Sequence, residues 1–136
     1  ADFYRQAVEE RNHAMMFVRY LLDRDLEVGI SGVDDVVSGF STPEEPIALA
    51  LEQEKQVTAQ VEALFRAARA EDDVLGEQFM MWFLKEQVEE VASMNSLLTI
   101  AKRAGTDWFQ IEEHLARESV AEGADSTAPP AAGGAL

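Results

Sequence analysis

The sequence predicts an all-α fold: three long helices, a long crossover between the first two, and a short C-terminal helix. Three observations carry this. Apolar residues recur at helical spacing in three separate stretches. Gly29, Gly32 and Gly39 break the pattern between the first two stretches, and Ala104-Gly105 ends the third. One of the turns is short, around Glu71-Asp72-Asp73, so the two helices it joins must be antiparallel neighbours.

The first helix covers residues 2–25, with an apolar stripe at Phe3, Ala7, Ala14, Phe17 and Leu21. Residues 26–41 break the pattern at Gly29, Ser31, Gly32 and Gly39. Their Val28, Ile30, Val33, Val36 and Val37 suggest a packed, extended connection. The second helix begins near Ser41-Thr42-Pro43-Glu44-Glu45. Thr42 is expected as N-cap, Pro43 as first helical residue and Glu45 as the reciprocal partner of a capping box. Its stripe is Ile47, Leu51, Glu54, Val57, Val61, Leu64 and Ala68. The third helix carries Leu75, Phe79, Trp82, Phe83, Glu86, Glu90, Ser93, Leu97 and Ile100 on one side and ends at Ala104-Gly105. A short fourth helix spans about Asp107 to Glu118, with Trp108, Ile111 and Leu115 apolar. Residues 1–118 are expected to form the helical domain, and 119–136 an Ala/Gly/Pro-rich disordered tail.

The stripes contain charges. Glu10 stands between Ala7 and Ala14, with His13 three residues on; Glu54 interrupts the second stripe, and Glu86 and Glu90 the third. An unpartnered charge in a core seam costs several kcal/mol, so each needs compensation. Glu54 and Glu90 stand equally far from residue 72 along the chain, which at ~1.5 Å per residue makes them level across the hairpin. If the crossover traverses the bundle, Glu10 joins the same layer. A layer of carboxylates with one imidazole is relieved by a multivalent cation, and iron, manganese or zinc suit that donor set better than magnesium or calcium. The Glu-x-x-His spacing places both donors on one helical face. His114 reads as an ordinary surface residue, and Met80, Met81, Trp82 and Phe83 as core packing.

Composition narrows the alternatives. The 136 residues hold 26 acidic and 11 basic side chains, a formal charge of -15. That disfavours nucleic acid as a partner and suits a cation collector. There is no cysteine, which excludes disulfides and thiolate metal sites. No apolar run approaches the roughly 18 residues of a membrane span. The N-terminal stretch is charged and helix-patterned, unlike a secretory signal. A start at Ala1 suggests processing or a fragment.

Four segments resemble the ferritins. Ala7-Val8-Glu9-Glu10-Arg11-Asn12-His13-Ala14 looks like their second bundle helix, and Leu51-Glu52-Gln53-Glu54-Lys55 like their third. Phe83-Leu84-Lys85-Glu86-Gln87-Val88-Glu89-Glu90 looks like their fourth, and Asp107 to Glu118 like their short terminal helix. The nearest type is the bacterial non-haem ferritin of actinobacterial kind. Bacterioferritin is less similar: Arg11 stands where it has a haem-ligating Met, and Glu86 is followed by Glu89 where it has His. The resemblance therefore implies no haem.

The resemblance implies a ferritin-like four-helix bundle, of which three long helices are in this chain; the first bundle helix, with a Glu ligand, would precede Ala1, which favours a fragment. It implies an iron-storing ferroxidase in which two ferrous ions are oxidised by dioxygen at a di-iron centre and pass to a mineral. Glu10 would bridge the irons, His13 ligate one and Glu54 the other, with Gln87 lining the centre. Glu9, Glu86, Glu89 and Glu90 would form an additional iron site, Glu90 also reaching the second iron, and Glu77 would line an iron-access channel. The expected partners are Fe(II), dioxygen and further copies of the chain in cytoplasmic, hollow 24-subunit shells, with no membrane or nucleic acid. The alternative is a non-catalytic or impaired structural subunit that only binds iron or nucleates mineral.

Overall fold

The computed structural model describes residues 2–105, 107–121 and 126–136, with the side chains of residues 2, 108 and 118–121 left aside. The side chain of Trp108 and residues 122–125 of the expected tail thus lie outside the described residues. Four helices form: α1 (Asp2–Asp23), α2 (Glu44–Ala70), α3 (Val74–Ala104) and α4 (Trp108–Ala121). Among the described residues there is no strand. The all-α fold, with three long helices, a long crossover and a short fourth helix, is therefore as the periodicity predicts. The chain divides into two compact units, Ala1–Val37 with Asp125–Leu136, and Ser38–Ala124.

The larger unit is built on the α2–α3 hairpin. Asp72 takes the left-handed conformation (φ 55) in the turn. The Asp73 N–H closes the turn on the Ala68 carbonyl at 2.9 Å. Asp73 then caps α3, its carboxylate accepting from the Gly76 N–H at 3.1 Å. A Cβ at residue 76 would stand 2.6 Å from the Asp73 carboxylate and 3.1 Å from the Ala68 Cβ, so the close approach of the two helices selects glycine there. At the far end Gly105 (φ 57) stops α3, its N–H donating to Ala101.

The start of α2 differs from expectation. Pro43, not Thr42, occupies the N-cap, and no side chain caps the helix. Pro43 is already in helical conformation (φ -66, ψ -24), so Thr42 lies one position too early to reach the first free N–H groups. Glu45 does reach back, but it accepts from the Ser41 N–H at 2.7 Å and not from the expected Thr42.

Ile47 and Leu51, near the start of α2, pack with Met94, Leu97 and Ala101, near the end of α3, and with Ile111 of α4. That pairing of a start with an end is the antiparallel arrangement the short turn requires. Towards the turn the buried residues are Val61, Met80 and Phe83. Val57, Leu64 and Leu75, expected in the stripes, are exposed. The buried face of α3 runs through Gly76, Met80, Phe83, Gln87, Met94, Leu97 and Ala101. It is thus rotated relative to the face expected, which took in Leu75, Glu86, Glu90, Ser93 and Ile100.

In the smaller unit, α1 ends where Asp25 turns to φ 56 and the Leu26 N–H donates to Leu21. The connection is not packed as expected: Ile30, Val36 and Val37 are exposed, and Val33 is 97% exposed. Residues 26–40 form neither helix nor strand, so their valines are not gathered on one regular face. In the C-terminal segment the Ala132 N–H donates to the Met15 carbonyl at 2.9 Å. The Asn12 side chain meets the backbone of Leu136 through both its oxygen and its nitrogen.

Candidate metal centre

The candidate ligands fall in two sets, one in each unit. In the larger unit Glu54 and Gln87 are the buried polar residues, at 7% and 5% exposure. The Gln87 amide nitrogen donates to Glu54 Oε2 at 3.0 Å across the α2–α3 interface. Around a carboxylate in an apolar seam, such a bond offsets part of the cost of lost hydration. One turn before Gln87, the buried Phe83 sits edge-on to Phe79 (centroids 5.1 Å) and to Trp82 (4.9 Å). One turn after Glu54, the Thr58 hydroxyl donates to the Glu54 carbonyl at 2.8 Å.

The sequence reading levelled Glu54 with Glu90. In the structure its side-chain partner is Gln87, about one turn nearer to the hairpin turn. Glu86 and Glu90 are half-buried on either side of Gln87 along α3, whereas Glu89 is exposed and paired with Lys85 at 3.8 Å.

In the smaller unit Glu10 and His13 approach each other on one face of α1, Oε2 to Nδ1 at 3.8 Å. Gln6, one turn earlier, donates to the other Glu10 oxygen at 3.1 Å. Glu10 is not in a closed seam, as expected, but 44% exposed at its side chain, against 18% for His13. Its stripe neighbours Phe3, Ala7 and Ala14 are exposed as well. Glu9, half-buried, pairs with Arg5 at 3.5 Å.

Partial desolvation pushes the Glu10 carboxyl up, but the hydrogen bonds from His13 and Gln6 and the charge of His13 outweigh it. The group is held below its ordinary value of 4.5. A depressed folded-state pKa contributes stability that is present above the unfolded value and lost as pH falls through the folded one. The helix content of α1 is therefore expected to fall as pH drops below about 4.5, and Glu10→Gln to remove that step. Circular dichroism against pH on both proteins reads this; identical acid limbs would refute it.

Glu77 is engaged by Arg69, which donates to it at 2.9 Å and stacks over Phe65 at 4.7 Å. The hydrogen bond and charge of Glu77 raise the Arg69 pKa further. Within each unit, among the described residues, no group of three or more His, Asp or Glu converges to hold a metal ion. What sequence reasoning missed is the direct Gln87–Glu54 bond. The only signal for it was a neutral amide in the apolar phase of α3 amid an acidic run.

The ferritin profile, a ferritin-like domain, matches residues 1–104. The chain belongs to the ferritin family. Its sequence is 63% identical over 134 residues to ferritin BfrB of Mycolicibacterium smegmatis, covering 98% of this chain and 74% of that protein. It is 35% identical over 101 residues to the bacterial non-heme ferritin of Bacteroides fragilis, covering 74% and 64%. In structure it is similar to the open pore ferritin of Archaeoglobus fulgidus (TM-score 0.70, 26% identity), over 82% of this chain and 68% of that one. This is a bacterial ferritin, and iron storage is the role that membership carries. No helix among its described residues is long and apolar enough to cross a membrane.

Proposed function

We propose that this ferritin oxidises Fe(II) with dioxygen at a carboxylate-bridged two-iron centre and stores the ferric product in a cytoplasmic shell of like chains. The observation that supports it most is the buried Glu54 carboxylate, held by the Gln87 amide. A hairpin gains nothing in stability from such a charge over an apolar side chain, so its presence points to a cation. On this reading Glu10, His13 and Glu54 would supply ligands to the ferrous ions. Gln87 holds Glu54 in place and lines the centre. Glu9, Glu86, Glu89 and Glu90 supply a further acidic iron site.

Two ferrous ions held together would supply two electrons to one dioxygen, giving two ferric ions and, with two protons from water, hydrogen peroxide. Anionic oxygen donors favour the ferric state over the ferrous one, because they stabilise the higher charge more. The net charge of -15 draws cations towards the protein at moderate ionic strength.

The test is the rate of ferric absorbance after Fe(II) is added in air. The protein is expected to exceed buffer at least tenfold, about the scale that metal-site substitutions command. Glu10→Ala and His13→Ala are each expected to return the rate close to buffer. A rate that neither substitution changes would discard the catalytic reading. The exposure of Glu10, with Glu9, Glu77 and Glu89 engaged by Arg5, Arg69 and Lys85, favours a second reading: an impaired subunit that binds iron and nucleates mineral through surface acids. That subunit would bind Fe(II) without air yet oxidise it no faster than buffer.

A further inference from the structure

We propose that Asn12 is a receptor for the chain's own C-terminal segment, clasping residues 126–136 along α1. Asn12 uses both ends of its amide on one residue. Its Oδ1 accepts from the Leu136 N–H at 3.1 Å, and its Nδ2 donates to the Leu136 main-chain oxygen at 3.4 Å. The orientation of that amide is fixed independently. The Arg11 guanidinium, which can only donate, lies 3.3 Å from the same Oδ1. One turn further along the helix, the Ala132 N–H donates to the Met15 carbonyl at 2.9 Å. The segment is thus held at two points on one edge of α1.

The composition of the segment serves this seat. Pro129-Pro130 stiffens the approach, because each proline fixes its own φ. Gly133 and Gly134 then take φ 76 and φ 84 in succession, and the Gly134 N–H closes a turn on the Ala131 carbonyl at 3.1 Å. Two consecutive left-handed residues are open to glycine at no steric cost and strained for others. This bend carries the chain back from Met15 to Asn12. The Gly-Gly pair is a built turn, and the partner that α1 selects is a short peptide with free backbone groups.

Asn12 is two residues from Glu10 and two from Ala14, so it lies on the opposite side of α1 from the Glu10 stripe. The clasp leaves that stripe uncovered while tying down the helix that bears it. The inference stands whether or not the protein oxidises iron.

Hydrogen exchange on the full chain, resolved by residue, tests it. The Leu136 and Ala132 amides are expected to exchange at least about tenfold slower than unprotected amides, the scale of two net hydrogen bonds. Asn12→Ala should bring Leu136 to the unprotected rate. The pair Gly133→Val and Gly134→Val should do the same without touching α1. The Met94 amide of α3 serves as the internal reference for folding and should stay slow in all variants. Unprotected exchange at Leu136 in the parent chain would overturn the proposal, as would protection that survives Asn12→Ala. Protection that grows with protein concentration would also overturn it, since the seat would then hold a second copy's segment.

Discussion

Glu54→Gln is expected to separate the two roles of the buried pair. The hairpin should be at least as stable at neutral pH, while aerobic Fe(II) oxidation falls at least about tenfold. The substituted side chain keeps the volume and keeps a carbonyl oxygen for the Gln87 amide, which now donates at 3.0 Å to a carboxylate. What it removes is a charge from an interior position at 7% exposure. Exchanging buried charges for neutral groups of similar size is often neutral or favourable to stability. Iron, however, needs the anionic oxygen. Urea unfolding and the oxidation rate, measured on the same preparation, decide the matter. If oxidation is unchanged, Glu54 is not a ligand; if stability and oxidation fall together, the charge is structural.

Phe83→Ala is expected to have the largest effect on folding, a loss of about 4 kcal/mol. Phe83 is 4% exposed and is the ring that both Phe79 and Trp82 meet edge-on. Its removal leaves a cavity that two rings on the same helix cannot close by rotation alone. Against a typical stability of roughly 5–15 kcal/mol, that is a large fraction. The urea midpoint should drop with little change in slope. A loss under about 1 kcal/mol would mean that the aromatic cluster does not hold α3. Gln87 sits one turn beyond Phe83, so oxidation should also slow, in proportion to the population that stays folded.

The end of α3 was legible because Gly105 writes it in a single residue; its start was read only as a turn at Glu71-Asp72-Asp73, without the Asp73 cap. Glu54 was legible because a charge in an apolar stripe is an anomaly. Its bond to Gln87 was not, although the resemblance put Gln87 at the centre. Counting from the turn located the layer to about one helical turn, but Gln87 is neutral and lies inside an acidic run, so Glu86 and Glu90 drew attention instead. Helical phase settled it, since Gln87 continues the buried line of Met80 and Phe83. For α1 the limit was different. Periodicity tells which face is apolar, not whether anything covers it, and Phe3 and Ala7 are exposed. The C-terminal segment has no periodicity at all; its contacts depend on backbone groups and two glycine conformations, which composition alone reads as a disordered tail.

The three-residue turn at Glu71-Asp72-Asp73 has a consequence in time as well as in space. Glu54 and Gln87 are 33 residues apart, yet most of that separation is helix, and the chain that must be searched to bring them together is the turn itself. Local topology of this kind forms quickly, because little loop entropy is spent before contacts repay it. The Glu54–Gln87 contact can therefore form as soon as the hairpin closes, without waiting for any segment outside α2 and α3. During synthesis it becomes available once α3 has emerged, so the buried Glu54–Gln87 pair is an early product of folding.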